Sequence, residues 1–119
     1  MSKPRFRWWS YVRHVVRDYK KLSAAEHLTV DDRKDRDAVT KAISIAKQSP
    51  KGEEMLALIE CIYWGNSGRH IEDAALRLYI SERTARRWHG NFIRLVAQCL
   101  GFSVAEDKQT DRENEPIDN

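Results

Sequence analysis

The stretch IEDAALRLYISERTARRW, residues 71–88, holds two apolar patterns of helical period on either side of Leu78-Tyr-Ile-Ser81. Two helices that meet near a right angle around a three-to-four-residue turn need small residues where they touch and apolar anchors beside the turn. Ala74 and Ala75 supply the close contact, Leu78 and Ile80 bracket the turn, and Ala85 and Trp88 are the inward positions of the second helix. This is the spacing of a helix-turn-helix. Where such turns need positive φ, glycine is the costless residue, but here Tyr79 stands after Leu78, so either the turn differs or it carries about 1–2 kcal/mol of strain. Ser81 is a good N-cap for the second helix and Gly101 is placed to end it.

With about 100° per residue and Arg83 as zero, Ala85, Trp88, Phe92, Leu95, Val96 and Cys99 fall between about 120° and 220°, while Arg83, Arg87 and Arg94 fall at about 0–40°. Apolar and cationic faces are therefore expected to be opposed. A major groove about 12 Å wide admits one helix whose exposed N-terminal half presents guanidinium and hydroxyl groups. Ser81-Glu-Arg-Thr-Ala-Arg-Arg-Trp-His89 offers that, with Arg83, Thr84 and Arg87 best aimed, Arg86 at the flank, and Ser81 and Arg94 at the ends. The alternative is a solvated face with ion pairs such as Glu82 to Arg86 at i, i+4, and a Thr84 that only supports the cap. His89, at about 240°, sits at the core edge and reads as a packed histidine.

Outward from this block the apolar spacing stays helical and alternation is nowhere sustained, so the expected fold is all-α, with about five helices. Trp8, Val12, Val15, Val16, Tyr19 and Leu22 form one stripe of a first helix, with Arg13, Arg17, Lys20 and Lys21 on its other side. Ser23 to Thr29 reads as a connection. A second helix is expected from Asp31 or Asp32 to Gln48, acidic in its first turn as the helix dipole favours. Ser49-Pro50-Lys51-Gly52 breaks it. A third, Glu53 to Trp64, is apolar on much of its circumference and is expected to be central; a turn at Gly65-Asn-Ser-Gly68 follows. The organisation expected is a basic helical region 1–49, a helix-turn-helix region 50–104, and an acidic disordered tail 105–119.

Charge is polarised along the 119 residues. The total is +3, yet the tail holds six acids against two bases, net −4, which leaves +7 on residues 1–104. Residues 1–22 carry seven bases against Asp18, interleaved with Trp8, Trp9 and Tyr11. A basic body with an acidic tail points to a polyanionic partner. The size excludes a large multidomain enzyme. No run approaches the ~20 apolar residues that span a bilayer, and no signal-peptide core follows the basic start, so a cytoplasmic protein without membrane contact is expected. Cys61 and Cys99 sit inside apolar helical patterns and read as reduced, buried thiols. They and His14, His27, His70 and His89 fall at no metal-ligand spacing, and there is no Gly-rich phosphate loop or serine elbow, so no metal, no cofactor and no enzymatic activity are expected.

With its N-terminal WWxYVR helix, helical middle, and the block Ile71 to Ala97 containing Ile80-Ser-x-Arg-Thr-Ala-x-Arg-Trp88, the chain resembles phage and prophage transcriptional regulators of the RinA/ArpU type, whose helix-turn-helix is similar to sigma-factor region 4. The resemblance covers residues 53–102 well and 8–48 loosely. It implies DNA binding near a promoter, activation of phage late genes for packaging, structure or lysis, and a location in the bacterial host cytosol or nucleoid. Carried onto this sequence it implies Arg83, Thr84, Arg86 and Arg87 as DNA-reading positions, with Tyr79 departing from the usual turn residue.

The reading that follows is a sequence-specific regulator bound to double-stranded DNA. Arg13, Arg17, Lys20 and Lys21 would add phosphate or RNA polymerase contacts. A specific site needs paired half-sites about 34–36 Å apart, which implies a homodimer or co-binding with polymerase, with Trp9, Tyr11 and Trp64 left over as contact residues. Two other classes fit the same features: a DNA-packaging component of the small-terminase kind, and a basic adaptor that meets an acidic protein.

Overall fold

The two longest helices of this chain start on side-chain caps, at Thr29 and Ser81. The computed structural model describes residues 7–65 and 70–102, and all regular structure among them is helical. In chain order these are α1 (Trp9–Arg17), α2 (Tyr19–Ala24), α3 (Val30–Lys47), α4 (Gly52–Ile59) continued by a wide π turn (Glu60–Trp64), α5 (Ile71–Arg77) and α6 (Glu82–Leu100). The acidic tail, and the part of the Gly65–Gly68 turn beyond Gly65, lie outside the described residues.

The first helix expected from the apolar stripe is two helices. At Asp18 the backbone leaves helical geometry (ψ 1°), and the Asp18 carboxylate lies 3.1 Å from His14 Nε2. The bend lets α1 pack mainly on α6 while α2 packs on α3, which a straight helix cannot do for both. α3 begins one residue earlier than expected because Thr29 caps it, its Oγ1 accepting from the Asp32 N–H at 3.0 Å. The break at 49–52 is steric. A Cβ on Gly52 would lie 1.6 Å from the Ala46 carbonyl oxygen, so only glycine permits this close return of the chain.

The central element is α6, not the third helix expected from its apolar circumference: α6 packs against α1, α3, α4 and α5. Its buried residues are Ala85, Gly90, Phe92, Ile93, Val96, Ala97 and Leu100, with Leu95 and Cys99 only half-buried. The core arc is therefore wider than the expected one and turned toward the Gly90 and Ala97 side. Ala97 on α6, with Ala38 and Ala42 on α3, lets the two helices lie close, while Gly90 is covered by the Arg94 guanidinium.

Two apolar clusters result. The larger joins Val12, Val15, Val16, Val39, Ile59, Phe92, Ile93 and Val96, rimmed by Trp8, Trp9, Tyr63, Trp64 and Phe102. The smaller consists of Leu58, Ala74, Ala75 and Ala85, rimmed by Ile71, Leu78, Ile80 and Trp88. It contains all six residues whose spacing set the expectation for the turn. Both clusters draw on α6, so residues on the two sides of position 50 share a core.

α5 and α6 end alike. At the end of α5, Tyr79 N–H donates to Leu76 O (3.2 Å) and Ile80 N–H to Ala75 O (3.0 Å). At the end of α6, Gly101 N–H donates to Gln98 O (3.0 Å) and Phe102 N–H to Ala97 O (2.9 Å). This is the Schellman arrangement, whose penultimate residue is left-handed. Gly101 takes it at φ 97° without cost; Tyr79 takes it at φ 59°. The positive φ expected of the turn is thus retained with a side chain on it, at roughly 1–2 kcal/mol.

Candidate nucleic-acid interface

The leading end of α6 follows four residues after α5, and its first turn is closed by Ser81. Ser81 Oγ accepts the Thr84 N–H at 3.0 Å and lies 3.0 Å from Thr84 Oγ1, to which it donates. Ser81 and Thr84, both named from the sequence as DNA contacts, are thus engaged with one another as the cap. Thr84 is half-buried.

The four arginines of α6 divide into two kinds. Arg86 is held by two carboxylates, Glu82 one turn before it and Glu72 on α5 at 2.9 Å, and these pairs raise its pKa further. The ion-pairing alternative therefore describes Arg86. Arg94 folds back on its own helix, its Nη2 donating to Asn91 Oδ1 at 3.0 Å with the guanidinium over Gly90. Arg83 and Arg87, one turn apart, are exposed and have no ion-pair partner among the described residues. Arg86 engages Glu72 and Glu82, so neither of these carboxylates pairs with Arg83 or Arg87.

Beside them lie residues that the wheel did not single out. Arg77, the last residue of α5, is exposed, Leu76 is 75% exposed, and Tyr79 is 94% exposed. Arg77 was legible as a basic residue next to the turn. Tyr79 was read as the turn residue, but its exposure and that of Leu76 depend on how α5 sits against α6, which spacing alone does not give.

The N-terminal cations are placed differently. Arg13 is half-buried, and its Nε donates to the Tyr63 hydroxyl at 3.0 Å. Tyr63 lies 2.6 Å from His89 Nε2 and its ring stacks on the imidazole, centroids 5.6 Å apart at 27°. Trp9 meets His89 edge-on at 6.2 Å. Burial first, then the charges of Arg13, Arg86 and Arg94, depress the His89 pKa to about 4, so it is neutral at pH 7. The Tyr63 oxygen accepts from Arg13, and Tyr63 and the neutral His89 ring share a hydrogen bond whose direction follows the histidine tautomer. Burial raises the Tyr63 pKa, so the phenol stays protonated. Arg17, Lys20 and Lys21 are exposed, with Lys20 Nζ 5.7 Å above the Trp64 ring.

The residues left over as contact candidates are used internally. Tyr11 Oη donates to both oxygens of Asp35 (2.8 and 2.9 Å), and burial together with that carboxylate pushes its pKa up to about 12. Trp64 Nε1 donates to the Val16 carbonyl at 2.8 Å. Trp9 packs against Trp8 and His89. Cys61 and Cys99 are free thiols, half-buried rather than fully buried. Among the described residues no group of three His, Cys, Asp or Glu is placed to hold a metal ion, and no helix is long and apolar enough to cross a membrane.

Compared with known proteins, the chain matches no family model, no curated protein and no solved structure.

Proposed function

We propose that this chain is a sequence-specific regulator of transcription that lays the leading end of α6 in the major groove of double-stranded DNA. The observation that carries the reading is the pair Arg83 and Arg87, exposed and without an ion-pair partner among the described residues, at the start of a nineteen-residue helix whose other side is core. Guanidinium groups one turn apart suit guanine edges or successive phosphates, and the +7 body supplies the non-specific attraction on which base reading is superimposed. Arg17, Lys20 and Lys21 add backbone contacts or meet polymerase, and pairing of half-sites makes the working species a homodimer or a complex with polymerase. The resemblance of residues 71–97 to RinA/ArpU-type regulators supports phage late genes as the target.

Genome-wide footprinting in the bacterial host tests this directly. Occupancy upstream of one packaging, structural or lysis operon is the expected result. Duplex binding in vitro should weaken steeply as salt rises from about 50 to 200 mM, by about 10³-fold if several phosphates are contacted. A chain that binds no duplex at low salt is not a DNA regulator, and a stable ring of many subunits in solution would move the reading to DNA packaging.

A further inference from the structure

We propose that Tyr79 is a DNA-backbone contact, its phenolic hydroxyl donating to a phosphate oxygen beside the groove that α6 enters; this rests on the DNA-binding reading above. The argument begins with a comparison inside the chain. α5 and α6 end on the same pair of hydrogen bonds with the same left-handed residue, and α6 uses Gly101 there. Glycine is the residue that this geometry favours. α5 uses Tyr79 at φ 59° instead.

Lys51, before α4, is a second exposed left-handed residue, so the strain alone does not single Tyr79 out; a large aromatic ring held there without packing does. Tyr79 is 94% exposed and belongs to neither apolar cluster, so its ring returns nothing to the fold. What it does have is position. It stands two residues before the cap Ser81, four before Arg83, and two after the exposed Arg77. Arg77, Arg83 and Arg87 are exposed on this side of the turn, and Glu72 and Glu82 are engaged by Arg86, which leaves exposed Asp73 on α5 against three exposed cations and makes an anionic ligand the partner that fits. Tyrosine hydroxyls are ordinary donors to phosphate oxygens, and the helix preceding a reading helix crosses the DNA backbone. Leu76, three residues earlier and also exposed, lies on the same rim.

The contact is to backbone and not to bases, so it is testable without the target sequence. The probe is a labelled mixed-sequence duplex about two helical turns long, titrated with full-length wild type, Tyr79→Gly and Tyr79→Phe, with thermal melting measured in parallel. Tyr79→Gly should melt higher than wild type, by a few degrees, because the strain is removed, and yet bind the duplex about five-fold more weakly, on the scale of one hydrogen bond. Tyr79→Phe should bind as weakly as Tyr79→Gly while melting like wild type. A lower melting temperature for Tyr79→Gly overturns the strain argument. Unchanged duplex affinity of either variant, while the wild type binds, overturns the phosphate contact and assigns the Leu76 and Tyr79 rim to a protein partner. Failure of the wild type itself to bind overturns the DNA reading and this inference with it.

Discussion

The two cationic regions look equivalent as strings and differ as surfaces. Around α1 the bases are interleaved with Trp8, Trp9, Tyr11 and Tyr19, and the fold draws charge inward: Arg13 goes to Tyr63, and Lys20 covers Trp64. At the head of α6 the aromatic neighbours lie on the opposite side of the helix, and one arginine, Arg86, takes both carboxylates within reach. A count of bases therefore overstates both: Arg13 is engaged in the first, where Arg17, Lys20 and Lys21 stay exposed, and Arg86 and Arg94 are engaged in the second, where Arg83 and Arg87 stay exposed. What matters for a polyanion is which cations lack an internal acceptor.

The severest way to break the comparison is to remove the core that the two regions share. Phe92 is fully buried on α6 in the cluster that α1 also lines, and it meets Trp64 edge-on at 6.5 Å. Phe92→Ala should cost about 3–5 kcal/mol in denaturant unfolding, with tryptophan fluorescence and duplex binding lost together. Loss of the tryptophan signal alone would mean that the head of α6 is supported independently.

Acid probes the same joint more gently. His89 is held at a pKa near 4 in the fold against about 6.5 when unfolded, so the unfolded chain binds the proton first. The stability contributed by the neutral ring is fully present above pH 6.5 and is lost as pH falls through the window from 6.5 to 4, by about 3 kcal/mol. Denaturant midpoints across that window measure it, and His89→Gln should flatten the profile.

The comparison is sharpened by exchanging readouts between the two regions. Arg13→Ala should lower stability by about 1–3 kcal/mol, because the Tyr63 oxygen loses a charged donor, while the salt dependence of duplex binding stays the same. Arg87→Ala should do the reverse: stability within about 0.5 kcal/mol of wild type, and affinity for the specific site down by about 1–3 kcal/mol if it reads a base. Equal loss on all sequences, with a salt slope reduced by about one, would make Arg87 a phosphate contact. Urea melts and fluorescence anisotropy separate the outcomes.

The smallest effect is expected at Arg86. Its pairs are exposed, so Arg86→Ala should change stability by less than about 1 kcal/mol. It should still weaken duplex binding modestly at low salt, because Glu72 and Glu82 are then left uncompensated beside Arg83 and Arg87. Titrations at low and high salt read this difference, which vanishes when screened.

Local signals made the turn and its flanking helices legible. Ala74, Ala75, Leu78, Ile80, Ala85 and Trp88 read as the small cluster, Ser81 as the cap and Gly101 as the stop, because each acts within one or two turns of itself. Long-range choices were not legible. Arg13 finds Tyr63 fifty positions away, and Arg86 finds Glu72 across the turn. The width of the α6 core depended on α3, whose alanines allow an approach that a helical wheel does not contain. The bend at Asp18 likewise answers to two different neighbours, α6 and α3, that one apolar stripe cannot distinguish.

The π turn at Glu60–Trp64 accommodates one more residue than the α-helical turn it replaces. That surplus lets consecutive side chains serve the same neighbour: Tyr63 reaches Arg13, and Trp64 reaches the Val16 carbonyl. A chain shortened by one position here would have to give up one of the two anchors. The segment should accordingly accept exchanges at Cys61 or Ile62 far more readily than any deletion, so that spacing rather than chemical identity is what descendants of this sequence would be least free to alter.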